Sequence, residues 1–258
     1  MLKFSKGNAK LGNKIYTFSL LSGWSCPNAK DCMSKAVMNE STNKLSIQDG
    51  PDTKFRCFSA SQEAQYKGTF KARKHNFDLV KKENTETIVN LIKTSLPKNA
   101  TIIRIHVAGD FFNQKYFDAW LQVAREMPNM IFYAYTKSIA FWVARLNEIP
   151  TNLKLNASRG GRQDHLIDEY GLKEVVVVYS EKQAEELGLE IDHDDTHAYK
   201  GDKSFALLIH GTQPKGSEAS IALKELKKEG WTGYKKEEGR TRNNNLLKGF
   251  KNVTKKEL

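Results

Sequence analysis

The sequence predicts an α/β fold, a six-stranded parallel partial (βα) barrel. Three observations predict it. Six apolar, β-branched or aromatic runs read as strands, at 14–20, 101–108, 130–136, 152–156, 175–179 and 204–210. Amphipathic stretches of helical period lie between them. Six such units fall short of the eight that close a barrel. Alternation of strand and helix places the strands parallel, with right-handed crossovers.

The helices follow in order. TETIVNLIKTSL precedes the second strand, and Pro97 stops it. NQKYFDAWLQVAREM carries Tyr116, Phe117, Trp120, Leu121, Ala124 and Met127 on one face. IAFWVARLNEI does the same with Phe141, Trp142, Ala144 and Leu146. EKQAEELG is a further helix, and SEASIALKELKKEG opens on Ser217 as N-cap and ends at Gly230. Residues 33–56 are an excursion from the first strand's loop, and 192–203 read as a long polar loop. Residues 1–230 therefore form one barrel-like domain, followed by a basic tail at 231–258.

Composition excludes several classes. A hydrophobic content of 39% over 258 residues supports a sizeable core. No run is long enough to span a membrane, and the basic N-terminus lacks the apolar core of a signal peptide. Three cysteines, an odd and low number, argue against a secreted disulfide scaffold and for a reducing cytoplasm. The net charge of +11 favours a polyanion such as nucleic acid, although a charged surface also serves solubility. The surplus is concentrated. Residues 224–258 hold 11 Lys/Arg against 5 Glu, and residues 66–82 hold six Lys/Arg against one Asp. Lys67, Lys71, Arg73 and Lys74, with Arg159 farther on, are the candidate nucleic-acid contacts. Tyr66, Phe70 and Phe77 interleave with the first four, either as stacking platforms or as a core-facing stripe.

All three cysteines, Cys26, Cys32 and Cys57, follow the first strand. Three thiolates gathered there would leave one position of a metal site open, as in a [4Fe–4S] cluster held by three Cys. A zinc site made of the same cysteines with a histidine such as His75 is the rival, though a Cys-x5-Cys gap is loose for zinc. Free cysteines are also ordinary small core residues. His193 and His197, spaced i, i+4 among aspartates, form a second and weaker zinc pattern.

Parallel sheets carry chemistry at the carboxyl ends of their strands. Those ends deliver Gly109 and Asp110, then Tyr135, Thr136, Lys137 and Ser138, then Asn156, Ser158 and Arg159. Asp110 suits a general acid or base, or a helix cap. SRGGR at 158–162 could wrap a phosphate or simply turn the chain. His106, inside a strand, reads as a core histidine.

The order of these elements resembles the radical S-adenosylmethionine enzymes. The resemblance implies a [4Fe–4S] cluster on Cys26, Cys32 and Cys57. It also implies S-adenosylmethionine near AGDFF at 108–112 and YTKS at 135–138, with Gly109, Asp110, Tyr135, Thr136, Lys137, Ser138, Asn156 and Ser158 as cofactor contacts. The usual Cys-x3-Cys-x2-Cys is absent. More closely, CPNAKDC, RIHVAGDFF and FYAYTKS resemble a bacteriophage protein family named after a mycobacteriophage gene product. That implies a viral origin and expression in a host cytoplasm, and brings no activity with it. Three functions fit these features: a cluster enzyme acting on a nucleotide or nucleic acid; a non-catalytic, metal- or cluster-stabilised module that binds nucleic acid or a host protein; and a barrel transglycosylase-like enzyme without cluster chemistry.

Overall fold

A computed structural model describes residues 1–7, 11 and 15–231. Nearly all of the basic tail lies outside the described residues.

Ten strands and nine α-helices are found among them. The strands are β1 (Ser5–Lys6), β2 (Ile15–Thr17), β3 (Ser34–Asn39), β4 (Lys44–Asp49), β5 (Ile102–Ile105), β6 (Ile131–Thr136), β7 (Leu153–Ser158), β8 (Glu174–Val178), β9 (Glu190–Ile191) and β10 (Phe205–Leu208). The helices are α1 (Phe58–Gln65), α2 (Lys67–Val80), α3 (Thr85–Ser95), α4 (Gln114–Glu126), α5 (Ile139–Val143), α6 (Asp164–Glu169), α7 (Glu181–Glu186), α8 (Thr196–Tyr199) and α9 (Glu218–Lys228).

Eight strands form one sheet in the order β1-β2-β5-β6-β7-β8-β10-β9. Only β1 runs antiparallel to its neighbour. The six anticipated strands are all present and consecutive, but the sheet has eight strands and is open. The expected six-stranded barrel is corrected in that respect. The added strands β1 and β9 are two residues each, too short to show an alternating pattern. The excursion at 33–56 is largely the antiparallel hairpin β3–β4, joined in register from Ser34↔Asp49 to Asn39↔Lys44.

Alternation along each strand sorts the residues into two faces. Ile103, Ile105, Phe132, Ala134, Leu153, Leu155 and Ala157 join the main core with Trp120, Tyr116, Phe117, Ile88 and Ile92 from the helices α3 and α4. Burying each large side chain there stabilises the fold by about 1.5–3 kcal/mol. The helices start where polar caps allow. Asn84 caps α3 by accepting from the Thr87 amide, and Asn113 caps α4 by accepting from the Tyr116 amide. IAFWVARLNEI does not make one helix: it splits into α5 and a single 3₁₀ turn at Leu146–Glu148. The polar stretch 192–203 is not wholly loop, because it contains α8.

A buried ion pair fixes α1 and α2 against the loop that follows β2. Glu63 Oε1 accepts from the Ser22 amide at 3.0 Å, the Ser22 hydroxyl at 2.9 Å and Arg73 Nη1 at 3.0 Å. Arg73 Nη1 also donates to the Ser59 carbonyl, and Nη2 to Gln62 Oε1. Burial pushes the Glu63 carboxyl up, and Arg73 opposes that shift. Replacing Arg73 with Met leaves Glu63 buried without its counter-charge. Urea titration should then show a loss of roughly 3–5 kcal/mol at neutral pH. An unchanged midpoint would show that the pair does not hold these helices.

Candidate active site at the carboxyl edge of the sheet

The loops beyond β2, β5, β6 and β7 meet at one edge. Asp110, buried just past β5, is its centre. Oδ1 accepts from the Phe111 amide at 2.7 Å and the Thr136 hydroxyl at 2.6 Å, and Oδ2 accepts from the Lys137 amide at 2.8 Å. Burial nevertheless pushes its pKa up to about 6, against these hydrogen bonds and the nearby Lys137 charge. Asp110 does not cap α4, since Asn113 does so. Gly109 has φ +86°, and a Cβ there would lie 2.5 Å from Ser25 Oγ and 2.8 Å from Leu20 Cβ. Glycine is therefore required for β5 to deliver Asp110 against the loop after β2.

Lys137 is buried as well. Its ammonium donates to the Ser158 carbonyl at 2.8 Å, the Ser158 hydroxyl at 2.9 Å and the Arg159 carbonyl at 2.7 Å. Ser138 Oγ donates to the Phe111 carbonyl and accepts from Asn28. Thus Asp110, Thr136, Lys137, Ser138 and Ser158, all anticipated as cofactor contacts, bond to one another and build the edge. Tyr135 and Asn156 point to the other face. There the Tyr135 hydroxyl and Asn156 Oδ1 are buried without a hydrogen-bond partner among the described residues, as are Arg104 Nε and Asp192 Oδ2.

The cysteine loop docks on this edge. Ala29 bridges Gly161, the Asp31 amide donates to the Gly160 carbonyl at 2.9 Å, and the Arg162 amide donates to the Asn28 carbonyl at 2.8 Å. Cys26, Cys32 and Cys57 are free and half-buried. Each thiol is pushed up chiefly by burial, Cys32 to about 11, and the Asp110 charge raises Cys26 and Cys32 further. Cys26 Sγ accepts from the Gly23 amide at 3.3 Å. Cys57 stands at the N-cap of α1 without a side-chain cap hydrogen bond, and the backbone at Ser59 and Ala60 opposes the upward shift of its thiol.

These facts correct the iron–sulfur expectation. Among the described residues, no group of three or more His, Cys, Asp and Glu side chains is placed to hold a metal ion. Burial raises all three thiols, and the Cys26 sulfur takes the Gly23 amide. The zinc alternatives are corrected on the same ground. His75 Nε2 lies 3.0 Å from the Met1 carbonyl. His197 lies in α8, paired with Glu190 and facing Asp192, whereas His193 precedes that helix and lies against the Trp231 ring. His106 is buried, 2.9 Å from the Tyr116 hydroxyl, and burial lowers its pKa to about 3, so it is a neutral core histidine.

Three of the expected nucleic-acid contacts are paired with carboxylates. Arg73 is buried on Glu63. Arg159 pairs with Glu174 and, at 2.6 Å, with Asp168. The Gly160 and Gly161 amides of SRGGR donate to the Asp164 carboxylate at 2.8 and 2.9 Å, so a carboxylate of this chain occupies the expected phosphate nest. Lys74 pairs with Asp78. Lys67 and Lys71 are exposed on α2.

The polar network on the other face escaped the sequence reading. Arg104 Nη1 and the Tyr133 hydroxyl both donate to Asp195 Oδ2, at 2.6 and 2.9 Å. Asp195 has φ +65° at the start of α8, and Asn156 donates to the Ala198 carbonyl. Arg104 at a mid-strand position that should alternate with isoleucines was the available signal.

No described helix is long and apolar enough to cross a membrane. No solved structure matches this chain, and nothing in the comparisons supports the radical S-adenosylmethionine arrangement. Curated relatives include the Gene 88 protein of Mycobacterium phage L5, 29% identical over 90 residues, and that of Mycobacterium phage D29, 28% identical over 90 residues. Each match covers 31% of this chain and 38% of the relative, so the chain spans well under half of their length. Residues 2–229 match the family model described as Gene product 88. The chain therefore belongs to the Gene product 88 family, whose curated members here come from bacteriophages.

Proposed function

We propose that the protein is an enzyme that acts on a small polar ligand at the carboxyl edge, with Asp110 handling the proton. The observation that carries this reading is a buried carboxyl group, held by three hydrogen bonds and pushed up to about 6, where a parallel sheet places its chemistry. At neutral pH such a group exchanges between its two forms within reach of its pKa, which suits a general acid or base. Oδ2 accepts one bond and retains a lone pair. The polar groups around it, the Thr136 hydroxyl, the Ser158 hydroxyl and the Lys137 ammonium, favour a polar ligand over an apolar one.

Thermal unfolding of the wild type and of Asp110→Asn, with nucleosides, nucleotides, sugar phosphates and S-adenosylmethionine supplied singly, tests the reading. At least one class should raise the wild-type midpoint, and the rise should shrink in the variant. Ligand at about 100 times its dissociation constant stabilises by about 2.7 kcal/mol. A panel without effect on the wild type, or with equal effect on both proteins, would refute it.

The titration of Asp110 has its own readout. Its carboxyl is raised from an ordinary 3.8 to about 6, so the folded state takes up a proton between those values. Stability is therefore favoured below pH 4 and lost as pH rises through 6, by on the order of 3 kcal/mol from this group. The amide of the Asp110→Asn variant does not titrate. The wild-type stability minus that of the variant should fall between about pH 4 and 6 and level off above. A difference that is flat with pH would place the carboxyl near its ordinary value.

A second reading rests on charge. The chain carries +11, and Lys67 and Lys71 stand exposed on α2, so the basic face suits a polyanion. Binding of labelled nucleic acid should weaken steeply between low and physiological salt. Salt-independent binding, or none at low salt, would mean that the charge serves solubility.

A further inference from the structure

A cleft of about 350 Å³ lies between the N-terminal strand and α2. Lys3, Ser19, Gln62, Gly68, Thr69 and Arg73 are among the residues that line it, and no Asp or Glu is found among the described ones. We propose that this cleft binds an organic phosphate monoester, with the phosphate held by Arg73 and the first turn of α2. It is a second site, apart from the Asp110 edge and independent of the polyanion reading above.

Arg73 is only 7% exposed, yet its guanidinium is not fully used. Nη1 donates to the Ser59 carbonyl at 3.0 Å and to Glu63 Oε1 at 3.0 Å, and Nη2 donates to Gln62 Oε1 at 2.8 Å. An arginine has five N–H donors, so one on Nε and one on Nη2 have no partner among the described residues. Nε and Nη2 are adjacent nitrogens, and a pair of N–H groups on one guanidinium forms a fork that matches two oxygens of a phosphate. Glu63 and Ser59 engage the other nitrogen. A buried donor in the wall of a cleft is costly unless something accepts from it.

The helix adds a second source of positive potential. α2 is 14 residues long, and Gly68 and Thr69, in its first turn, both line the cleft. Tyr66 at the N-cap supplies no side-chain cap, and no acidic residue occupies that turn. The positive end of the helix dipole is thus not offset by a side chain of its own first turn, and it suits an anion. Gly68 keeps the backbone open to close approach, since even a Cβ there would meet nothing within 4 Å. Exposed Lys3 contributes further charge.

The donor count favours phosphate over carboxylate. The Arg73 fork, the hydroxyls of Ser19 and Thr69 and the first-turn amides exceed what two carboxylate oxygens need, whereas a phosphate monoester presents three strong acceptor oxygens and nearly two negative charges. Small-molecule sites occupy about 300–1,000 Å³, so this cleft holds an organic body beside the phosphate. Its walls are fixed before any ligand arrives. Asn76 is buried and clasps the Lys3 backbone both ways: the Lys3 amide donates to Oδ1 at 2.8 Å, and Nδ2 donates to the Lys3 carbonyl at 2.9 Å. Nδ2 also reaches the Ser19 carbonyl at 3.1 Å, which ties both walls to the end of β2.

Isothermal titration calorimetry on the full chain, with glycerol 3-phosphate, glycerol and inorganic phosphate as probes, tests the proposal. Glycerol 3-phosphate should bind, glycerol should not, and inorganic phosphate should compete with the ester. Arg73→Lys keeps a cation beside Glu63 but loses the fork, and should weaken binding of the ester by about tenfold or more. Gly68→Glu keeps the test open if that variant folds poorly. It sets a carboxylate at the cleft, and an acidic residue suits the first turn of a helix, so it should cost about tenfold or more in affinity without loss of stability in urea. Gly68→Gln, of the same size and uncharged, should lose less. Failure of both phosphates to bind the wild type, binding of glycerol as tight as that of its phosphate, wild-type affinity in Gly68→Glu, or equal affinities in Gly68→Glu and Gly68→Gln overturns the proposal.

Discussion

Two buried charges lace three strands together at their carboxyl ends. Asp110, after β5, holds the end of β6 through Thr136 and the Lys137 amide. Lys137, at the end of β6, holds the end of β7 through Ser158 and Arg159. An open sheet has no closing strand pair to hold these ends against one another, and the right-handed twist tends to splay them. Each charge is costly to bury, and each is compensated by three hydrogen bonds rather than by a close opposite charge. The cysteine loop docks on the laced ends, through Asn28 on Ser138 and Ala29 on Gly161.

The same lacing explains why the edge looks as it does chemically. Most of its polar residues already serve one another, and the Asp110 carboxyl among them has a raised proton affinity. Burial raises all three thiols, and the Asp110 charge adds to that at Cys26 and Cys32.

Much of this was legible in the sequence. The strands β2, β5, β6, β7, β8 and β10 announce themselves by β-branched and aromatic runs, and the long helices by their apolar stripes. Asp110, Lys137 and Ser158 stand out because they end strands. What was not legible depends on partners distant in the chain. Arg73 and Arg159 look like free cations until Glu63 and Glu174 come to them in the fold. The spacing of the cysteines says where they cluster, but not whether backbone amides or a metal will take the sulfurs. The segment around Asp195 reads as solvated loop because its aspartates are charged, yet its carboxylate is buried on Arg104 and Tyr133.

The docking of the cysteine loop has a kinetic consequence. Its contacts join residues far apart along the chain: Asn28 with Ser138, Ala29 with Gly161, and Arg56 with Gln213. Each closes a long loop whose entropy must be lost before the contact returns anything. Helices such as α3 and α4, held by near neighbours, can form early, while the edge waits for the last strands to dock. This edge is thus completed only when β7 docks, and an N-terminal fragment ending before β7 would lack the bonds from Lys137 to Ser158 and Arg159.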